Sequence, residues 1–164
     1  MREPKASRPH LPGYGILDAD KGKGLLTWRW AEERLSRAHT YWVATTRPDG
    51  APHVMPVWGV WLDDAFCFST GSQSRKARNL AENPRCVISC EAEEAHIIVE
   101  GAADALIGSE LNRRFAETYG PKYRWDMKDF NEPVFVVRAR VVFGFTPAGG
   151  EFTSAATRWT FDLE

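Results

Sequence analysis

The chain has 164 residues, 43% of them hydrophobic and 26% charged, with 21 basic and 22 acidic side chains and a formal net charge of -1. That length suits one soluble globular domain, which buries about two-thirds of its unfolded surface. The charge balance excludes a general nucleic-acid or membrane-surface binder, since such binding needs a large field of one sign.

Residues 1–24 read as an N-terminal arm, ordered or loose, punctuated by Gly13, Gly15, Gly22 and Gly24. Met1 to Gly15 is polar and carries no apolar stretch behind its basic residues, so it does not read as a signal peptide. No apolar run is long enough to span a bilayer. Cys67, Cys86 and Cys90 are odd in number and form no Cys-x-x-Cys pair. They predict reduced, buried thiols in a cytoplasmic protein, with neither a disulfide framework nor a metal site.

A helix is predicted over Thr27 to Ala38, with Thr27 as N-cap and Ala31, Leu35 and Ala38 at helical spacing. The period then changes to two. Thr40 to Arg47 predicts a strand, Pro48-Asp49-Gly50 a turn, and Pro52 to Leu62 a second strand. Asp63-Asp64 turns the chain into a third strand, Ala65 to Thr70. Ser74 to Glu82 predicts a helix that must stop before Pro84. Strands follow over Arg85 to Glu91 and His96 to Ile107, the latter with a bulge or bend at Gly101. A third helix is predicted over Ser109 to Tyr119, then a loop over 120–132, a long strand over Pro133 to Thr146 and a last strand over Thr157 to Leu163. Six or seven antiparallel strands with few helices make a mainly β protein, a closed or partly closed barrel. The long apolar sixth strand needs cover on both faces, and a partner subunit is one way to supply it.

The informative stretch is FSTGSQSRKARNL, residues 68–80: strand, glycine, serines, helix. Arg75, Lys76 and Arg78 crowd the start of that helix. An isolated helix start already carries partial positive charge, and each added cation there costs about 0.3–1 kcal/mol. A phosphate would remove the conflict, meeting free backbone N–H groups, hydroxyls and two or three cations. A solvated basic face is the alternative reading. Within the second strand Pro52 and Pro56 cannot donate to a ladder, which fits an ordinary edge strand and a wall for a flat ligand equally. His10, His39, His53 and His96 show no metal-ligand spacing, and no Walker, Rossmann or nucleophile-elbow pattern is present.

On these residues the chain resembles the pyridoxamine 5'-phosphate oxidase-like, FMN-binding split-barrel superfamily. The matching pieces are PHVMPVW, FSTGSQSRKARNLAENPR and HIIVEGAA, with weaker echoes in VVRARVVFGF and TRWTF. Its Pro-Val-Trp strand, Ser-x-Lys-x-x-Asn-Leu helix and Thr-Arg-Trp-x-Phe end are similar to the actinobacterial branch that uses coenzyme F420 or FMN. The resemblance implies a six- to seven-stranded antiparallel split β-barrel, a homodimer with cofactor at the interface. It implies hydride transfer between coenzyme F420 or FMN and a small organic substrate. It sets Met55, Pro56, Val57 and Trp58 along the ring, with His53 where the true oxidase opens this strand with a basic residue. Ser69 and Thr70 would approach the ribityl chain and phosphate. Ser74, Arg75 and Lys76 would hold the phosphate, with Asn79 nearby, and Arg158 and Trp159 would come from the other subunit. The oxidase's substrate-phosphate pattern near the C-terminus is missing, so pyridoxamine phosphate oxidation is the less expected reaction. A non-enzymatic flavin, F420 or haem binder and an empty structural dimer are the rivals from other classes. Protons would come from solvent or from Tyr41, His53 or Tyr123. An acidic F420 tail would follow Arg75, Lys76, Arg78, Lys122 and Arg124.

Overall fold

The period-two segments fold as strands. The computed structural model describes residues 3–18, 21, 24–147 and 152–162; Gly22 of the arm and Leu163 of the predicted last strand lie outside them. Nine strands are present among the described residues: β1 Lys5–Ser7, β2 Tyr41–Thr46, β3 Pro52–Val57, β4 Val60–Leu62, β5 Ala65–Ser69, β6 Arg85–Ala92, β7 Ala95–Leu106, β8 Val134–Phe145 and β9 Thr157–Thr160. Four helices accompany them: α1 Trp28–Arg37, α2 Arg75–Glu82, α3 Glu110–Tyr123 and α4 Phe152–Ala155.

All pairings are antiparallel, along the path β1-β9-β8-β7-β6-β2-β3, with β5 beside the first half of β8 and β4 beside β5. β3 and β4 therefore stand at opposite ends of the sheet, yet only Trp58 and Gly59 separate them in sequence. In a flat sheet they would lie roughly 29 Å apart, at ~4.8 Å per strand. The connecting residues reach only about 10 Å. The sheet must roll up until its ends meet, and it does so without a ladder between β3 and β4. This is a split β-barrel.

Several elements differ from the sequence expectation. The predicted strand Pro52 to Leu62 breaks at Trp58-Gly59. A Cβ on Gly59 would lie 2.3 Å from the Phe66 ring and 2.7 Å from the Cys67 carbonyl, so the chain passes there only as glycine. The arm contributes a short strand, β1, which exists through its pairing with β9. The predicted bend at Gly101 is present as a register shift between Glu100 and Gly101. The third helix does not stop at Tyr119 but continues through Gly120 and Pro121 to Tyr123.

The barrel interior is lined by Tyr41, Val43, Phe66, Phe68, Ile88, Ile97, Val99 and Trp159, and α1 adds Trp28, Ala31 and Leu35. The other face of β5 and of the start of β8 (Ala65, Cys67, Val134, Val136) packs on Phe115 of α3. So α3 of the same chain covers the first half of β8, where a partner subunit was one expectation. Cys67, Cys86 and Cys90 are free and buried, and burial lifts each thiol to about 12.

Candidate functional site

Two regions meet where the barrel splits: a basic one at the start of α2 and an aromatic one at Trp58.

Ser74 caps α2 with extended backbone, and its hydroxyl accepts from the Ala77 N–H at 3.2 Å. The Thr70 hydroxyl donates to Ser74 Oγ at 3.3 Å, fixing the serine side chain. The first turn of α2 contains no acidic residue. Arg75 and Arg78 are exposed and Lys76 is half-buried, its pKa lowered by that burial. None of the three has a carboxylate partner among the described residues, although cations on α1 and α3 do.

The β2–β3 hairpin brings more charge to this place. Its register pairs Thr45 with His53, and Arg47 immediately precedes the turn. His53 is half-buried and its Nδ1 has no hydrogen-bond partner. Burial lowers its pKa first, and the charges of Arg47, Lys76 and Arg75 lower it further. Arg47, Arg75 and Lys76 thus form an uncompensated cationic cluster around His53, whose ring the lowered pKa leaves mainly uncharged near neutral pH. Arg47 was not singled out from the sequence. The hairpin spacing around Pro48-Asp49-Gly50 is the signal that could have placed it across from His53.

β3 is the edge of the sheet path, as its prolines predict. His53, Met55 and Val57 share a face with Thr45, Val43 and Tyr41, while Val54 and Pro56 share the opposite face with Ala44 and Trp42. Val57 alone is buried; Met55 and Trp58 remain 43% and 40% exposed. The Trp58 ring lies parallel to Tyr123, 4.9 Å away, with His39 and Trp125 edge-on to it at 5.8 and 6.2 Å. The Tyr123 hydroxyl accepts from the Gly59 N–H at 2.9 Å and lies 2.9 and 2.8 Å from the carbonyls of His39 and Gly59. Its single proton serves one of them. Lys122 Nζ donates to the Gly59 carbonyl at 3.0 Å and to the Tyr41 hydroxyl at 2.9 Å. Burial lowers its pKa to about 8.

These bonds correct three expectations. Tyr41 is fully buried and donates to the Leu35 carbonyl, and burial raises its pKa, so it is no proton source for a ligand. Tyr123 is committed to the β3–β4 junction, and burial lifts it to about 12. Lys122 ties α3 to Gly59 and does not line an open channel.

The cluster fits a phosphate: four basic side chains, a capped helix start with free amides, and an unpaired imidazole nitrogen, with no carboxylate bonded to them. Among the described residues no group of acidic, histidine or cysteine side chains could hold a metal ion, and no helix is long and apolar enough to cross a membrane.

The sequence profile of the pyridoxamine 5'-phosphate oxidase family matches residues 29–154. The chain belongs to this family. Among solved structures it is similar to the conserved hypothetical protein Rv2991 of Mycobacterium tuberculosis, at 21% identity over 71% of this chain and 82% of that one, with a TM-score of 0.65. It is also similar to an F420 reductase (24% identity over 68% and 94%, TM-score 0.57). A heme binding protein from Mycobacterium smegmatis matches at 22% identity over 73% and 55%, TM-score 0.62. These likenesses show the fold. No curated protein matches the sequence.

Other residues that the family resemblance pointed to make contacts of their own within the fold. Asn79 is 1% exposed and donates its amide to Thr45 Oγ at 2.9 Å, tying α2 to β2 beneath the helix start. The Ser69 hydroxyl is bonded to the Pro133 carbonyl at 2.9 Å. Trp159 is 1% exposed and packs edge-on to Trp28 in the core, so its ring does not reach toward a second subunit. Arg158 is half-buried on β9, opposite Phe143 of β8. The structure thus brings together Thr70, Ser74, Arg75, Lys76 and His53 at one end of the site, and Met55, Pro56, Val57 and Trp58 along β3.

Proposed function

We propose that this chain is an oxidoreductase that binds FMN or coenzyme F420 and passes hydride between that cofactor and a small organic substrate. The observation that carries it is the cationic cluster of Arg47, Arg75 and Lys76 around His53, which lacks any carboxylate partner among the described residues at a serine-capped helix start. An anion at this place relieves both the helix-dipole conflict and the mutual repulsion of the side chains.

Arg75 and Lys76 would hold the phosphate with the α2 amides, the Ser74 hydroxyl would orient it, and Arg47 and His53 would close it from the hairpin side. Met55, Pro56, Val57 and Trp58 would give the ring an apolar edge along β3. When bound, the cofactor supplies the hydride chemistry. The chain's part is orientation and the exclusion of water on the Trp58 side, where Tyr123 backs the indole. His53 is the titratable side chain left to exchange a proton, because Tyr41 and Tyr123 are held in internal bonds. The outer face of the hairpin leaves Trp42 and Val54 48% and 51% exposed. A second copy seated on this face would place the cofactor at a homodimer interface.

The test is a separate fluorescence titration with FMN and with coenzyme F420. Micromolar affinity for one of them is expected. Affinity for neither sinks the proposal. A bound cofactor that no reductant or substrate turns over would make the chain a carrier of the same ligand.

A further inference from the structure

We infer that the cavity between α3 and the loop leading into α2 is a separate binding site for a flat aromatic molecule that carries no negative charge. Its assignment as the substrate pocket of the enzyme rests on the cofactor reading above; the binding site itself does not.

The cavity measures about 490 Å³, within the usual range for small-molecule sites. One wall is the loop Ser69 to Gln73, which leads into α2; the other is α3 with the loop that follows it. Its floor is aromatic: Phe115 lies 5.0 Å from Tyr119 and 5.7 Å from Phe130, ring to ring. Met127 and Trp125 complete it. Trp125 leaves 59% of its surface to water, an unfavourable arrangement for an indole that a stacked ring would relieve. The same indole stands edge-on to Trp58, and Thr70 at the other wall bonds Ser74. The cavity therefore adjoins both ends of the cofactor site, sharing Ser69 and Thr70 at its rim while its aromatic floor belongs to it alone.

Its charge distinguishes it from the site next door. Glu132 is the one charged residue among its described lining, and no cation joins it. An organic anion seated here would meet the Glu132 carboxylate directly, with the cations of the α2 start outside the lining, so the cavity disfavours what the α2 start attracts. At the rim the side chains of Ser72 and Gln73 have no hydrogen-bond partner among the described residues, whereas Ser69 and Thr70 are already bonded. Those two free groups suit a polar substituent on an otherwise apolar ring system.

A matched pair of probes tests this. N-phenyl-1-naphthylamine is neutral; 1-anilinonaphthalene-8-sulfonate has the same rings and one negative charge. Fluorescence titration should give micromolar affinity for the neutral probe. The sulfonate should bind about tenfold or more weakly, measured also with Arg75→Ala, Lys76→Ala so that the basic cluster is not counted. Trp125→Ala, at an exposed position that leaves the fold intact by circular dichroism, should weaken the neutral probe about tenfold. Glu132→Lys should bring the sulfonate close to the neutral probe. Saturating FMN or coenzyme F420 should leave the neutral probe's affinity unchanged. No binding of the neutral probe, indifference to Trp125→Ala, equal affinity for both probes in the unmodified cavity, or displacement by cofactor each overturns the inference. If neither cofactor binds, the cofactor reading fails alone, and the probe titrations still decide the cavity.

Discussion

Two helices of this protein begin with the same cap and opposite charge. α3 opens on Ser109, whose hydroxyl accepts from the Asn112 N–H while the Asn112 side chain returns to the Ser109 N–H. Glu110 follows in the first turn and is paired with Arg113. The first charge there agrees with the helix dipole, and the cations that follow it, Arg113 and Arg114, are each paired with a carboxylate. α2 opens on Ser74 with the same serine-to-backbone bond but no reciprocal side chain, then places Arg75 and Lys76 where Glu110 would be, with no acid to answer them. α1 shows an intermediate case: its Arg29 is answered one turn later by Glu33 at 3.0 Å. The difference teaches that the cap serves the fold in all three helices, while the charge that follows serves the fold only in α3. In α2 it leaves a conflict that a bound anion would resolve.

The largest expected effect breaks the α2 side. Arg75→Ala, Lys76→Ala removes two charge-assisted partners worth about 1.5–3 kcal/mol each, so affinity for FMN or coenzyme F420 should fall at least about a hundredfold. Isothermal titration that finds the wild-type affinity would move the phosphate elsewhere. Arg75→Glu makes α2 resemble α3. It should raise the urea stability of the ligand-free protein by about 1 kcal/mol while weakening cofactor binding; a loss of stability would mean the cation is not in conflict with the helix. Removing the shared cap separates the two roles. Ser109→Ala and Ser74→Ala should each cost about 1 kcal/mol by urea denaturation, and only Ser74→Ala should also lower cofactor affinity.

The far end of α3 gives a smaller, pH-dependent effect. Lys122 has a folded value near 8 against an ordinary 10.5, so between those values the unfolded chain holds the extra proton. Through this group, raising the pH from 8 to 10.5 favours the folded form, and below 8 its cost is constant. The three thiols act in the other direction, because burial raises them from 9 to about 12. The difference between wild type and Lys122→Met isolates the lysine. Wild type should gain on the variant across pH 8–10.5, and a flat difference would show that Lys122 is not desolvated. Smallest of all, the ring resonances of His53 should titrate below the ordinary 6.5 in the free protein and shift upward when a phosphate cofactor binds. An unshifted ring would take His53 out of the cluster.

Much of this was legible in the sequence. Alternation and turn residues placed β2, β5, β6, β7 and β8 within a residue or two, while the last strand ends at Thr160 rather than Leu163, and the Ser-Arg-Lys helix start marked the basic region. What escaped depended on contacts distant in sequence. β1 has no period of its own over three residues and forms by pairing with β9, some 150 residues away. The break at Gly59 follows from the place of Phe66 behind it. Gly120 and Pro121 read as helix breakers, yet α3 runs through them. Pro121 is exposed, and the turn beyond it carries Lys122 and Tyr123 to their bonds at Gly59. Asn79 and Trp159 carried a family's motif and proved to be buried structural groups. The residue type was visible, but the side on which it fell was not. Arg47 was overlooked for the opposite reason, since only the hairpin register brings it to His53.

The buried cysteines have a further consequence. With each thiol held near 12, only about one in 10⁵ is thiolate at pH 7, and the thiolate is the form that attacks oxidants and disulfides. The three sulfurs are thereby kept out of redox exchange with the surroundings, and the barrel can stay in an oxidising or reducing medium without a change of its covalent structure.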